Sequence, residues 1–314
     1  MVQLSDRGAA IVAIRVADGR GEYDNVIVAP GSAADFAAST KRYGAIVGRY
    51  AGRLRGSVTI DGRRYPLATN ASGVTLHGGD PGFDRAVWRP RRFVTSNGSG
   101  VEFVLRSPDG AQGFPGELVV RARYTLDRDR NVLTLDLRAD ADRPTVANLT
   151  NHAYFNLSGA PTIACHTLQV DAERVIALDD RKLPTGELAP LASTPLDFRA
   201  PRVLAQTLAV GGMDRMFVAG ERGATLIDRA TGRRLRLTTT EPGLQIFTGD
   251  AFDGTEHDAR GRLIGRHAGI AIEAQHFPDS PNIAHFPPTR VAPGRPLISR
   301  TRWSFDRVRP TGCR

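Results

Sequence analysis

The sequence predicts an all-β protein, a large antiparallel β-sandwich. Three observations carry this: apolar and polar residues alternate with a period of two, strand-like runs are paired through turn-forming residues, and helical patterns are scarce. In chain order, the one helical candidate is "SAADFAASTKRYG", a short segment opened by Ser32 as a cap. "FVTSNGSGVEFVL" reads as a hairpin turning at Asn97 and Gly98. "LVVRARYTL" and "NVLTLDLRAD" flank the polar turn "DRDR". In the second run Leu133, Leu135 and Leu137 alternate with Thr134, Asp136 and Arg138, so one face is buried and the other wet. "ATLIDRATGRRLRLTTT" repeats the hairpin device around Thr231 and Gly232. The 33 glycines and 20 prolines fall mostly between apolar runs, where many short strands need turns. No linker, compositional break or repeat divides the chain, so residues 1–314 are expected to form a single domain.

Composition narrows the function classes. Hydrophobic residues make up 41% and charged residues 24%, the balance of a folded globular protein and not of a disordered one. A net charge of +9 raises the question of an anionic partner. All but Lys41 and Lys182 of the 42 basic residues are arginines, and they are dispersed among acidic residues. The charge therefore reads as an arginine-biased composition, and no nucleic-acid partner is expected. Cys165 and Cys313 are too few for a disulfide framework and too isolated for a zinc site. No run of about 18 apolar residues occurs, so no membrane partner is expected. The N-terminus lacks a charged leader followed by an apolar segment, which favours a cytoplasmic location.

Ready-made catalytic signatures are absent. The chain has no phosphate-loop motif, no G-x-G-x-x-G after a strand, no G-x-S-x-G elbow and no H-E-x-x-H, which excludes most nucleotide-driven and zinc-protease chemistry. His276 and His285 lie nine residues apart in a Pro-rich segment, not a metal-ligand spacing, and are assigned structural or substrate-edge roles. In "NLTNHAYFNL", His152 sits among amides, hydroxyls and aromatics, as either a packed structural residue or a proton carrier. In "GIAIEAQHFPDSPN", Glu273 follows the apolar stretch 269–272 and precedes a loop with Pro278 and Pro281, which places it at a strand end near a cleft rim. There it is either a carboxylate base or a surface glutamate paired with an arginine. Sequence spacing alone does not bring it to His152.

The segments "GAIVGRYAGRL", "LHGGDPGFDRAVW", "SPDGAQGFPG", "NLTNHAYFNLSG", "LPTGELAPL" with "TPLDFR", "MDRMF", "EPGLQIFTGD", "IEAQHFPDSPN" and "FPPTRVAPG" occur in this order along nearly the whole chain. Together they resemble the aldose 1-epimerase, or galactose mutarotase, family. The resemblance implies a galactose mutarotase-like β-sandwich of the supersandwich type. It implies that His152 is the general acid and Glu273 the general base. It further implies that Arg53 in "GRYAGR" and His77 in "LHGG" bind substrate or assist the acid, and that Asp214 in "MDRMF" and Gln245 in "GLQIF" bind sugar hydroxyls. Each has a plainer alternative: Arg53 as a surface arginine, His77 capping the turn at Gly78 and Gly79, Asp214 capping a turn, and Gln245 facing solvent. Tyr154, Phe155 and Phe247 are open to either stacking on a pyranose or core packing.

The implied chemistry suits these residue types. Exchanging α and β anomers of a free aldohexose such as galactose or glucose cleaves the bond from C1 to the ring oxygen, rotates the aldehyde and recloses the ring. A carboxylate takes the C1 hydroxyl proton and an imidazolium supplies one to the ring oxygen. Roles reverse on closure, so both groups are expected to titrate within reach of neutral pH and to face opposite sides of the C1 to O5 bond. The expected partner is a monosaccharide, with no cofactor and no metal, and the chain is expected to act as a monomer or weak homodimer. Two departures stand out. Gly52 precedes Arg53 where the family usually has asparagine, which bears on substrate preference. The chain also starts late relative to the family pattern, which leaves open an upstream start with a signal peptide and a periplasmic location. The alternatives are a hexose-6-phosphate 1-epimerase, which gives the positive charge a purpose, and a non-catalytic carbohydrate-binding or regulatory protein. Retention of both His152 and Glu273 counts against the second.

Overall fold

In a computed structural model, residues 1–70 and 72–312 are described, so Cys313 lies outside the described residues. Two large sheets dominate. The nine-stranded sheet runs, edge to edge, Arg89–Thr95, Gly98–Ser107, Leu118–Asp127, Val132–Ala141, Leu297–Arg307, Arg233–Thr239, Ala224–Asp228, His166–Val170 and Arg202–Val203. The seven-stranded sheet runs Pro184–Pro190, Arg174–Leu178, Asp214–Val218, Gly243–Phe247, Ile270–Gln275, Tyr154–Phe155 and Ile27–Val28. Every neighbouring pair in both sheets is antiparallel. Leu133, Leu135, Leu137 and Trp303 of the first sheet join Leu244, Ile246, Ile270 and Ile272 of the second in one buried cluster, the filling between the two layers.

The three hairpins form where turn chemistry places them, between residues 95 and 98, 127 and 132, and 228 and 233. In the first, Gly98 is required for room: a Cβ there would lie 2.3 Å from the Leu126 carbonyl oxygen. Leu133, Leu135 and Leu137 are buried while Arg138 is exposed, as the period-two pattern demands. The predicted helix is Ala33–Ala38, and Ser32 Oγ accepts from the Asp35 N–H at 3.0 Å. A second short helix, Ala205–Ala209, has no side-chain cap, and so left no start signal in the sequence. Among the described residues, no helix is long and apolar enough to cross a membrane.

One sequence expectation is corrected. The apolar run before Glu273 continues through it as the strand Ile270–Gln275, whose six residues are all buried. Glu273 is fourth in that strand and 2% exposed, not at a strand end on a rim. Both faces of this strand are covered, so period-two alternation is absent and the strand's end cannot be read from hydrophobicity.

Candidate functional site

Register assembles the site. Residues directly opposite on neighbouring strands share a face, and successive residues alternate. Gln245 stands opposite Glu273, Phe247 opposite Ala271, Asp214 opposite Phe247, and Tyr154 opposite Ala271. One face of the seven-stranded sheet therefore carries Asp214, Gln245, Phe247, Tyr154 and Glu273. The other face sends Leu244, Ile246, Ile270 and Ile272 into the core.

His152 reaches this face from the Thr150–Asn151 strand, which pairs with Ile46–Val47. Its backbone is fixed on both sides, with the N–H donating to Ala45 O at 2.8 Å and the carbonyl accepting from Gly44 N at 2.9 Å. The side chain comes to 3.6 Å between Nε2 and Glu273 Oε1, too long for a hydrogen bond, and both side chains are buried. Among the described residues, His152 Nδ1 and Glu273 Oε2 are buried without hydrogen-bond partners. The pair thus face each other directly. Two oxygens borne by one anomeric carbon are adjacent, so a donor and an acceptor this close can each address one of them.

Burial sets the proton inventory. Desolvation, reinforced by the charge on Asp214, pushes the Glu273 carboxyl up to about 8. Desolvation, with the Arg42 guanidinium adding to it, pushes the His152 imidazole down to about 3. At neutral pH the buried pair therefore rests as a protonated Glu273 and a neutral His152, the reverse of the carboxylate and imidazolium expected from sequence. Burial disfavours both charges, and moving one proton from His152 to Glu273 removes both at once.

The other candidates converge on the same place. Asp214 Oδ1 accepts from Gln245 Nε2 at 2.6 Å, and Oδ2 lies 3.2 Å from Arg53 Nη2. Gln245 therefore engages a carboxylate instead of facing solvent. Arg53 sits opposite Leu76 in a two-stranded pair, and His77 follows that strand. The His77 carbonyl-side turn needs Gly78, where a Cβ would lie 2.2 Å from the Arg49 nitrogen. His77 does not cap this turn. Its Nδ1 accepts from the Gly52 N–H at 3.2 Å, so in the neutral form its proton resides on Nε2 and is free to donate. Desolvation, together with Arg42, His152 and Arg53, holds His77 well below the usual imidazole range. Its ring centroid is 5.5 Å from that of His152. At Gly52, φ is +78°, and a Cβ would meet Gln275 Nε2 and Pro278 Cγ, each at 3.1 Å. The space an asparagine side chain would need is therefore bordered by Gln275 and Pro278.

Sequence reasoning missed two cations. Lys182 Nζ lies 3.5 Å from Asp214 Oδ2, sharing that oxygen with Arg53. Arg42, whose Nε is buried and lies 3.9 Å from Asp84 Oδ2, acts electrostatically on His77, His152, Tyr154 and Glu273 together. Among the aromatics, Phe155 belongs to the core, while Tyr154 backs the catalytic candidate with its ring 4.9 Å from His152. His276 Nδ1 pairs with Glu241 Oε2 at 2.5 Å, and His285 Nε2 with Gly186 O at 2.8 Å, both structural arrangements. A groove of about 830 Å³ lies elsewhere, against residues 23–31 and 258–264, and its Arg260 and Arg262 are already paired with Asp24 and Asp258.

Comparison with known proteins agrees with this architecture. The family model described as aldose 1-epimerase matches residues 1–304. The chain is 37% identical to galactose mutarotase of Sus scrofa, over 97% of this chain and 91% of that protein. It is 32% identical to aldose 1-epimerase of Escherichia coli strain K12, over 97% and 92%. Among solved structures, it is similar to galactose 1-epimerase from Lactobacillus acidophilus, with a TM-score of 0.86, 29% identity and coverage of 98% and 91%. It is also similar to an aldose epimerase homologue from C. elegans, with a TM-score of 0.89, 26% identity and coverage of 98% and 95%. The chain belongs to the aldose 1-epimerase family.

Proposed function

We propose that the protein is a mutarotase that interconverts the α and β anomers of free aldohexoses such as galactose or glucose, using Glu273 and His152 as its proton-transfer pair. The observation that carries this reading is the approach of His152 Nε2 to 3.6 Å from Glu273 Oε1, both buried, on the sheet face that also carries Asp214 and Gln245. Ring opening requires the form with a carboxylate and an imidazolium. Glu273 takes the proton of the C1 hydroxyl as His152 protonates the ring oxygen, the C1–O5 bond breaks and an aldehyde forms. The pair is then a protonated carboxyl and a neutral imidazole, the form favoured by burial. After rotation about C1–C2, Glu273 protonates the aldehyde oxygen while His152 takes the proton from the O5 hydroxyl, and the ring closes on either face. One proton serves both directions, and general acid and base catalysis each contribute about 10² to 10⁴ in rate.

Asp214 and Gln245 are assigned to sugar hydroxyls, Arg53 and His77 to sugar oxygens as donors. The cluster of Arg53, Gln245 and Lys182 around Asp214 supports this, since it brings donors and an acceptor together. We also infer that residues 1–314 form one domain. The support is that the strand Leu297–Arg307 lies between Val132–Ala141 and Arg233–Thr239, so distant parts of the chain share one sheet.

Polarimetry on freshly dissolved α-D-galactose, α-D-glucose and their 6-phosphates tests the reading. Wild type accelerates anomerisation of the free sugars, and Glu273→Gln and His152→Asn each lose about 10²-fold or more, because coupled residues fail together. Response to the 6-phosphates alone would favour the phosphosugar alternative. Sugar binding without any acceleration would leave only a binding protein.

A further inference from the structure

Asn148 stands four residues before His152 and is 0% exposed. Its side-chain amide reaches two other segments of the chain. Nδ2 donates to Ala51 O at 3.1 Å and to His276 O at 3.0 Å, and Oδ1 accepts from His276 N at 3.0 Å. The backbone adds two bonds, from Asn148 N to Arg49 O at 3.1 Å and from Ala51 N to Asn148 O at 2.7 Å. The segments joined in this way are those that carry the site. Arg53 lies two residues beyond Ala51, Glu273 three residues before His276, and His152 on the Asn148 segment itself.

The need for an amide follows from the sheet. The ladder between Gly243–Phe247 and Ile270–Gln275 ends with Gly243 opposite Gln275. Beyond it the His276 peptide has no ladder partner among the described residues, the Gln275 amide reaches its C=O only at 3.4 Å, and its N–H and C=O require partners once buried. Asn148 supplies a donor and an acceptor on one planar group, as a neighbouring strand would, with a second donor left over for Ala51. A carboxylate in its place would confront two carbonyl oxygens, and a serine hydroxyl is too short to bridge both segments.

We infer that Asn148 is the positioning residue of the proton-transfer pair, fixing where the Glu273 strand ends relative to the His152 and Arg53 segments. This inference rests on the mutarotase reading. Asn148 touches no reacting atom and acts through the three segments it ties. A misplacement of about 1 Å in a catalytic constellation costs on the order of 10²-fold in rate.

The test compares Asn148→Asp and Asn148→Ser with a control, Asn25→Ala. Asn25 is also an amide clamp, bonding Ile14 N, Ile27 N and Ile27 O, at the end of the strand Tyr23–Asn25, which contains no candidate site residue. Three readouts are taken: kcat and KM by polarimetry across pH, the thermal midpoint, and the ¹⁵N resonances of the His152 imidazole in the sugar-free protein. Both Asn148 variants are expected to lose about 10²-fold in kcat, with KM changed far less, a displaced pH profile and shifted His152 resonances. Asn25→Ala is expected to lower the thermal midpoint and leave kcat and His152 unchanged. If the Asn148 variants lose stability while kcat per folded molecule, pH profile and His152 resonances stay as in wild type, the residue is only structural and the inference is overturned. Should Asn148→Asp fail to fold, Asn148→Ser decides. Failure of wild type to accelerate anomerisation would reject the mutarotase reading instead, and the sugar-free resonances would still show whether Asn148 governs the His152 environment.

Discussion

Glu273 and His152 share one proton over a wide range, and this has a definite consequence for the pH profile. Below about 3 both groups carry protons and no base remains, whereas above about 8 neither does and no acid remains. The one-proton form lies between, so kcat/KM should be flat across mid-range and fall on an alkaline limb near 8, with the two values belonging to the pair. Arg42 biases both groups the same way, its positive charge favouring the Glu273 carboxylate and disfavouring the His152 imidazolium. Arg42→Gln should therefore slide the alkaline limb to higher pH, measured by polarimetric rates in matched buffers. A limb that stays or moves down would remove Arg42 from the electrostatics of the pair. Arg42 could not be picked out beforehand, because it is one arginine among many with no motif around it. His152 and Glu273 were legible as chemistry, but their adjacency came through family resemblance, since 120 intervening residues carry no local signal of a 3.6 Å approach.

At the scale of the element, the sheets divide into strands whose faces can be read and strands whose faces cannot. Val132–Ala141 has one wet face, so its leucines announced their direction. Leu135→Ala should cost about 2–5 kcal/mol by opening a cavity between the sheets, while Thr134→Ala, on the outer face, should stay within about 0.5 kcal/mol. Denaturant unfolding of both variants checks this, and equal effects would mean that the inward register is wrong. Ile270–Gln275 had no such signal because both its faces are covered, which is why the sequence misplaced the end of the Glu273 strand. The face on which Glu273 lies became definite only through its pairing with Gln245. Helices followed the same rule: Ser32 marked Ala33–Ala38, whereas Ala205–Ala209 has no capping side chain to mark it.

For the whole molecule, the buried titratable groups pull stability in opposite directions with pH. Burial lowers His152 to about 3, His166 to about 4 and His77 well below its usual value. The unfolded chain therefore binds protons that the folded one refuses. Stability from these groups is full above about 6.5, the ordinary histidine value, and is lost as pH falls toward their folded values. Glu273 has the opposite sign. Its folded value, about 8, exceeds the ordinary glutamate value of 4.5, so the stability it contributes is full below 4.5 and declines as pH rises through 8. Each pH unit within that window costs about 1.4 kcal/mol at most. Glu273→Gln removes this penalty, because an amide has no proton to surrender. The variant should accordingly melt at a higher temperature than wild type at pH 8, and near pH 4 the difference should shrink. His166→Gln should flatten the acid arm alone, since Gln can still accept from Leu157 N as His166 Nε2 does at 2.9 Å. Thermal melts of the three proteins from pH 4 to 9 separate the two arms. If Glu273→Gln is inactive yet gains nothing at pH 8, the carboxyl is not strained by its burial, and the proton inventory assigned to the pair is wrong.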